Sequence, residues 1–358
     1  MLNIFCVARD TVGEMKNKYI KYLSIPVTAA ILLTACSNSS ETSESSDSSS
    51  EITLYSERSK DLIQPVIDQY EQETGNKVDV RYGDSGELAM LINEEGDKTP
   101  ADVFLSKTPG SIGVLEQNGH LTTLEEPTLA LTPKKVQDVE GLWVGISGRQ
   151  RVLVYNSELV ETNDLPETIY DLTKPEWKGK VGIAPNNGSF RDFVTAMRSS
   201  VGEETTAEWL KSLAENEPLT YPKNGVIVDA VGIGEVEVGL VNHYYNFREL
   251  VENPEHKGLN YQFPAEDPGS FLMVSAAGKL KASDNQDEAD ELIEWLLGET
   301  AQRYFADETF EYPLAEGIDP AENVPAAIFS DVSDIDYQAL GDGLAETEKM
   351  ILDAGLRE

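Results

Sequence analysis

The sequence predicts an α/β fold divided between two lobes, and three observations support that prediction. The chain has 358 residues, which is more than one ordinary domain usually contains. From Glu51 onward, short apolar strands alternate with amphipathic helices, which is the pattern of a parallel sheet covered by helices. Hydrophobic residues make up 40% of the chain, so there is enough apolar surface for a packed core.

The first predicted elements alternate without interruption. A strand at 52–55 precedes a helix whose apolar residues, from Leu62 to Tyr70, recur at helical spacing. Gly75 is expected to end this helix, and Pro65 inside it predicts either a late start or a kink. A strand, a helix and a strand are then predicted at Val78–Tyr82, Glu87–Glu95 and Asp102–Leu105.

The alternation continues into the second lobe. Two strands, Trp143–Ile146 and Arg151–Tyr155, are expected to include the crossing between the lobes. Two helices, a strand and a helix follow at Phe190–Val201, Thr205–Glu215, Gly239–Asn242 and Tyr244–Val251. The remaining elements are a candidate return strand and two helices, at Ser270–Ala276, Glu288–Leu297 and Tyr337–Leu356. Gly341 and Gly343 weaken the last of these helices.

Residues 1–35 are predicted to be a secretory signal rather than part of the fold. A basic segment lies around Met15, the expected true start, and an apolar run from Ile25 to Leu33 follows it. This run is too short to span a membrane as a helix. It ends in Leu33-Thr34-Ala35-Cys36, which resembles the bacterial lipobox, so Cys36 is predicted to be lipidated. A buried helix with a chance cysteine is the alternative. Residues 37–50 contain nine serines and three acidic residues and are expected to form a flexible tether.

The composition excludes several classes of protein and site. Cys6 and Cys36 are the only cysteines, so the mature domain has no disulfide and no cysteine-based nucleophile or metal site. The formal net charge of −36 argues against nucleic acid and anionic membrane surfaces as partners. Such acidity indicates either a protein kept soluble at high salt or high pH, or one that attracts cations. No G-x-S-x-G, P-loop or H-E-x-x-H motif occurs, so the sequence does not predict an enzyme.

The segment Val241–Tyr245 contains the most informative residues. Tyr244 and Tyr245 would point to opposite faces of a strand, but at the first turn of a helix they lie about 100° apart. There both phenol oxygens can reach one point, beside a helix N-terminus that favours negative charge. Phenolate is a hard oxygen ligand that suits a hard, highly charged cation. The alternative is a pair of ordinary core or surface aromatic residues.

The segment Ala184–Phe190 is a candidate anion site. Its small polar residues and glycine precede a predicted helix, whose first backbone N–H groups can bind an anion. An ordinary helix cap formed by asparagine or serine is the alternative.

Seven stretches of the chain together resemble bacterial ferric-iron-binding proteins of ABC importers. They occur in that family's order and span most of residues 51–317, and the set is specific although no single stretch is. They are Asp97–Phe104, Ser147–Tyr155, Pro175–Val181, Tyr221–Asn224, Val241–Tyr245, Asp267–Gly269 and Glu311–Leu314.

The resemblance implies a periplasmic-binding-protein type II fold, with a hinge and a ligand cleft between the two lobes. It implies a protein that is not an enzyme but captures Fe(III) with phosphate or carbonate as a synergistic anion. Delivery to the permease and ATPase of an ABC importer is implied as well. The family's paired tyrosine ligands match Tyr244 and Tyr245, and a third tyrosine ligand of some members matches Tyr155. The anion-binding positions match Asn187, Gly188, Ser189, Asn224 and Asn242, and the expected charge partners are Arg149 and Arg151.

The first lobe departs from the family's pattern. Positions where some members have a histidine, a tyrosine or a glutamate ligand are occupied here by Ser59, Lys60 and Lys107. Glu57 is therefore a candidate substitute ligand. Alternatively, Arg58 and Lys107 meet an anion, and the cargo is an iron–anion complex.

The expected organisation has four folded segments. Residues 51–145 and 269–315 form the first lobe, 146–268 form the second lobe, and 316–358 are a C-terminal helical segment on the second lobe. The protein is expected to be a monomer, anchored by its lipid to the outer face of the cytoplasmic membrane. Alternative functions are the same fold binding an organic anion, a phosphonate or a polyamine, a surface enzyme, and an adhesin or structural lipoprotein.

Overall fold

The computed structural model describes residues 51–84, 86–328 and 343–357. The predicted signal, Cys36 and the tether lie outside the described residues, as do positions 337–342 of the predicted terminal helix. None of the helices within the described ranges has the length and apolar character that a membrane span requires.

The first lobe begins with a parallel sheet. Strand β1 (Glu51–Ser56) pairs with β2 (Lys77–Tyr82) on one side and with β3 (Val103–Leu105) on the other. The elements between and after these strands are α1 (Lys60–Thr74), α2 (Glu87–Glu95), α3 (Pro109–Gln117), β4 (Leu121–Thr122) and α4 (Glu126–Leu129). The apolar face of α1, including Ile63, Val66 and Tyr70, is buried in a core formed with β1 and β3.

Helix α1 tests one of the two alternatives that Pro65 raised. The helix begins at Lys60, five residues before the proline, so the predicted late start is wrong. Gly75 ends α1 as predicted, since it adopts the left-handed conformation at φ 82° and its N–H bonds the Glu71 carbonyl.

A single long strand joins the two lobes. Strand β5 (Trp143–Asn156) is buried along all of its 14 residues. The two strands predicted there are therefore one, because residues 147–150 pair with β10 (Leu272–Leu280) instead of forming a loop. The first part of β5 belongs to the sheet of the first lobe, and its last residues pair with strands of the second lobe. β5 is thus continuous through the junction of the lobes.

The second lobe is built on a sheet that extends from β5. Strand β8 (Val238–Asn242) pairs antiparallel with β5 and parallel with β6 (Val181–Ile183), which pairs with β7 (Leu219–Thr220). Strand β9 (Gly258–Tyr261) also pairs with β5. The helices of this lobe are α5 (Gly188–Val201), α6 (Glu203–Glu215), α7 (Asn224–Gly232) and α8 (His243–Glu252).

The chain then returns to the first lobe along β10, which pairs with β3 and β5. Helices α9 (Gln286–Leu297) and α10 (Glu299–Asp307) cover that sheet, and β11 (Tyr312–Pro313) adds to β5 beside the lobe junction. The last described helix, α11 (Leu344–Asp353), packs against α5 and α6 of the second lobe. Gly343 is the N-cap of α11, and Gly341 lies outside the described residues.

Candidate metal and anion site

The paired tyrosines lie where strand β8 gives way to helix α8. Asn242 is the last residue of β8, and Tyr244 and Tyr245 are the second and third residues of α8. Their rings stack, with centroids 4.2 Å apart and planes inclined by 28°. Tyr244 is buried and Tyr245 is partly exposed. The structure therefore brings the two side chains together at the first turn of a helix.

The environment of Tyr244 keeps its phenol neutral at ordinary pH. Burial raises its pKa well above the usual value, and the neighbouring Tyr245 and Glu311 raise it further. Arg149 acts in the opposite direction. Because a multivalent cation stabilises phenolate strongly, binding of such a cation is expected to displace the phenolic proton.

A buried group of charges lies next to the tyrosines. The Arg58 guanidinium donates to a Glu311 carboxylate oxygen at 2.5 Å and to the Ser275 hydroxyl at 3.2 Å. Ser147 donates its hydroxyl hydrogen to the other Glu311 oxygen at 2.6 Å. Burial raises the pKa of Glu311, but Arg58 and Arg149 lower it more, so Glu311 is held as a carboxylate.

Arg149 adds a second positive charge to this group. It is buried, donates to the Lys107 carbonyl, and interacts electrostatically with both tyrosines. Burial and the nearby Arg58 lower its pKa. Two guanidinium groups thus share the single Glu311 carboxylate, which leaves positive charge facing Tyr244 and Tyr245.

Arg151 approaches the tyrosines from the strand next to β8. Its guanidinium lies over the rings of Phe190 and Phe193, at 5.9 and 5.5 Å from their centroids. It donates to the Asn242 side-chain oxygen at 3.3 Å and to the Leu240 carbonyl at 2.8 Å. Burial lowers the pKa of Arg151 to about 9, and Tyr245 is the group that raises it. Arg151 therefore links Asn242 and the tyrosine pair to helix α5.

The candidate anion residues of α5 and α7 are connected by hydrogen bonds. The Asn187 side chain accepts from the Ser189 N–H at 3.0 Å and from the Ser189 hydroxyl at 2.8 Å. Asn224, at the start of α7, donates to the Ser189 hydroxyl at 3.0 Å. Gly188 is the first residue of α5, where a helix leaves its own N–H groups unpaired. Both the predicted helix cap and the convergence of Asn187, Ser189 and Asn224 are therefore present.

Tyr155 does not join this group. In the pairing of β5 with β8, Arg151 lies opposite Asn242, whereas Tyr155 lies opposite Val238 at the other end of β8. Four strand residues correspond to roughly 13 Å. Tyr155 packs instead in the apolar core with Leu240 and Leu153. The assignment of Tyr155 as a third ligand is therefore not supported, because the strand register directs it away from the tyrosine pair.

The first-lobe candidates have mostly structural partners. The Glu57 carboxylate accepts from the Gly86 N–H at 2.5 Å and from the Lys107 N–H at 3.2 Å, so both of its oxygens are occupied. Burial raises the pKa of Glu57 to about 7. Ser59 is exposed at the start of α1, without a side-chain capping bond. Burial, then Arg149 and Arg58, lower the pKa of the partly buried Lys107. Of this set, Arg58 and the backbone carbonyl of Lys107 contact the charges around the tyrosines.

Tyr244 and Tyr245 are the candidate metal donors that the structure brings together. Within the described part of the chain, no group of three histidine, cysteine, aspartate or glutamate side chains is arranged to hold a metal ion.

Sequence reasoning missed Glu311 as a member of the site. It lies in one of the stretches that carry the family resemblance, but the chain has 64 acidic residues and nothing distinguished this one. Glu311 belongs to the site because β11 lies beside β5, which places the Glu311 carboxylate within reach of the Ser147 hydroxyl.

Comparison with known proteins agrees with this architecture. Residues 98–340 match the family described as bacterial extracellular solute-binding protein. The Fe(3+)-binding periplasmic protein of Serratia marcescens is 30% identical over 308 residues, which are 85% of this chain and 90% of the relative. Iron-bound HitA from Pseudomonas aeruginosa matches with a TM-score of 0.78 at 31% identity, covering 86% of this chain and 99% of that chain. A Trichodesmium protein (IdiA, FutA) in complex with iron and citrate matches with a TM-score of 0.73 at 27% identity, covering 86% and 100%.

These relatives are binding proteins and not enzymes, and their likeness confirms the predicted two-lobe type II fold. The chain belongs to the bacterial extracellular solute-binding proteins.

Proposed function

We propose that this protein captures Fe(III) together with a synergistic anion and delivers it to an ABC importer. The observation that carries the proposal is the stacked pair Tyr244–Tyr245 at the first turn of α8, beside buried arginines. Oxygen donors of this kind prefer a hard trivalent cation to a softer divalent one. The names of the relatives, which bind Fe(3+) or contain iron, support the same cargo.

In this proposal the two phenolates are the protein's ligands to iron. The anion completes the coordination from the side of α5 and α7, where Gly188, Ser189 and Asn224 lie in the first turns of the two helices. Asn187 and Asn242 position these groups through Ser189 and Arg151.

The charge of the site indicates what kind of anion is suitable. Fe(III) with two phenolates has one net positive charge. Arg58, Arg149 and Arg151 are buried beside the site, where Glu311 interacts with Arg58 and Arg149 and the buried Asp192 interacts with Arg149. Buried charges of one sign are unfavourable unless they are compensated. A multiply charged oxyanion, such as phosphate, carbonate or a citrate-like carboxylate, provides that compensation, and Arg58, Arg149, Arg151 and Lys107 are the residues that favour it.

The location and partners of the protein follow from the same assignment. We propose that Cys36 carries a lipid, that residues 37–50 tether the body to the outer face of the cytoplasmic membrane, and that the monomer docks on the permease and its ATPase. Residues 51–145 with 269–315 form one docking lobe, and 146–268 with the C-terminal helical segment 316–358 form the other.

Iron retention in tyrosine variants tests the cargo. Wild-type protein, loaded with Fe(III)-citrate and dialysed against buffer, is expected to retain about one iron per chain by elemental mass spectrometry, because one tyrosine pair forms one site. Tyr244→Phe/Tyr245→Phe is expected to retain less than about a tenth of that amount, since phenylalanine keeps the ring and removes the ligand oxygen.

Tyr155→Phe is the matched control, because it removes a phenol oxygen roughly 13 Å along β5 from Arg151. It is expected to retain iron like the wild type. Equal retention by the double variant would contradict the iron assignment. The search would then turn to an organic anion, a phosphonate or a polyamine as the cargo.

A further inference from the structure

Asp192 lies in the second lobe and has a hydrogen-bond partner in the first lobe. It is the fifth residue of α5 in the second lobe, and its side chain is only 3% exposed. The Thr108 hydroxyl of the first lobe forms a hydrogen bond with its carboxyl group. Its second oxygen, Oδ2, has no hydrogen-bond partner in the part of the chain that the structure describes. The hydrogen bond from Thr108 therefore holds this buried group across the junction of the lobes.

The partner of Asp192 is the residue at which helix α3 begins. Thr108 is the N-cap residue of α3, a helix of nine residues, but its hydroxyl makes no capping bond to the helix backbone. A carboxyl or amide group near a helix N-terminus stabilises that end. Asp192 provides such a group from the other lobe, beside Ser111 of α3, whose hydroxyl lies 3.4 Å from the Thr108 hydroxyl.

A second contact ties the same loop to the cargo site. Arg149, on the strand that joins the lobes, donates to the carbonyl of Lys107, the residue before Thr108. Arg149 also interacts electrostatically with Tyr244 and Asp192. The loop that precedes α3 is thus contacted both from the tyrosine site and from α5.

We propose that Asp192 is a latch residue, whose side chain reaches from the second lobe to the N-terminus of first-lobe helix α3 and favours the closed arrangement of the lobes. Closure and opening of the lobes do not depend on the identity of the cargo. The effect on iron release rests on the proposed function, whereas the effect on closure does not.

The distance between the lobes in cargo-free protein tests the latch directly. Spin labels are attached to cysteines introduced at exposed positions of α2 and α8, Met90 and Val251, with Cys6 and Cys36 changed to serine. Electron–electron resonance then gives the populations of closed and open distances. Asp192→Ala is expected to reduce the ratio of closed to open molecules about tenfold, the effect of losing one well-placed hydrogen bond.

Three further variants distinguish a latch from a general loss of structure. Asp192→Asn keeps a capping side chain without the charge and is expected to be at least as closed as the wild type at neutral pH. Thr108→Val is expected to open the lobes as Asp192→Ala does, and the double variant is expected to open them no further. Asp267→Ala truncates a buried aspartate whose carboxylate accepts hydrogen bonds from the backbone N–H groups of Gly269 and Ile169, and it is expected to leave the distances unchanged.

An unchanged distance distribution in both Asp192→Ala and Thr108→Val would overturn the latch, whatever the cargo is. If the lobes do open, the loaded Asp192→Ala protein is expected to release iron to a chelator about tenfold faster than the wild type. Opening without any iron binding in the wild type would reject the proposed cargo and leave the latch intact.

Discussion

Tyr244 and Tyr245 follow each other in the chain, and their rings stack at 4.2 Å because α8 begins one residue earlier, at His243. On a continuing β8 strand the same residues would have pointed to opposite faces of the sheet. The change from strand to helix at this residue brings two aromatic side chains together as a pair of candidate ligands.

Glu311 is predicted to stabilise the folded protein by compensating the charge of buried arginines. Glu311→Gln leaves Arg58 buried without a carboxylate partner, and the expected loss is about 3–5 kcal/mol of unfolding free energy. Urea denaturation of the cargo-free protein, followed by circular dichroism, measures this change.

An exposed ion pair provides the control for that substitution. Asp353 pairs with Lys349 on the surface of α11, where both side chains are exposed, so Asp353→Asn is expected to change stability by less than about 1 kcal/mol. Equal effects of the two substitutions would mean that the buried group does not stabilise the fold.

The site residues differ in how far the sequence predicts them. Tyr244 and Tyr245 were predictable because their relation is local and depends only on where a helix begins. The position of Tyr155 away from the pair was not predictable, because it depends on the register of β5 against β8, which a motif does not contain. Glu311 and Asp192 were not predictable, since their partners Arg58 and Thr108 are remote in the chain.

Strand β5 shows the same distinction for whole elements. Its two ends were predicted as separate strands because Ser147–Gln150 has little apolar character. In the structure these residues are buried, since β10 and β11 supply backbone partners from more than a hundred residues away. By contrast, α2 was predicted with its correct bounds because its pattern and its flanking glycines are local. Helices α3 and α7 were missed, since glycine and β-branched residues are weak helix formers outside their tertiary setting.

Closure of the lobes is predicted to weaken as pH rises. Burial raises the pKa of Asp192 to about 6 and that of Glu57 to about 7, and Asp192 raises the pKa of Glu57 further. Arg191 on the same helix, Arg149 on β5 and Lys107 before α3 lower the pKa of Asp192, but burial outweighs them. In the open form these carboxyl groups gain water, so their pKa values return towards about 4.

The closed form therefore binds more protons than the open form, and its advantage is fully present below about pH 4. The advantage is lost as pH rises through about 6 to 7, the range of the two raised pKa values. Spin-label distances in cargo-free protein between pH 5 and pH 8 are expected to show more open molecules at the higher pH. Asp192→Asn is expected to reduce this dependence, and an equal dependence in that variant would assign it to other groups.

At the scale of the whole molecule, the charge is distributed unevenly. The chain has a formal net charge of −36, whereas Arg58, Arg149 and Arg151 are buried at the lobe junction or beside it. An acidic exterior raises the local concentration of cations, and the cationic interior compensates an anion once it is bound. The arrangement suits the capture of a metal cation together with an anion, and it does not suit a nucleic acid.

Length and the alternation of strands and helices were sufficient to predict an α/β protein with two lobes, because both properties are sums over many residues. The type II fold and the cargo class came from the family resemblance, since no rule of periodicity contains a strand order such as β2-β1-β3-β10-β5-β8-β6-β7. The crossing and the return of the chain were expected at these strands, but the pairing of β5 with β10 required the structure.

The most direct test of the central claim is the visible absorption of metal-free protein titrated with Fe(III)-citrate, with and without added phosphate or carbonate. Charge transfer from phenolate to Fe(III) absorbs visible light, so a band that saturates at about one iron per chain is expected, and it depends on Tyr244 and Tyr245. The absence of a band, or a band of unchanged intensity in Tyr244→Phe/Tyr245→Phe, would contradict the tyrosine iron site.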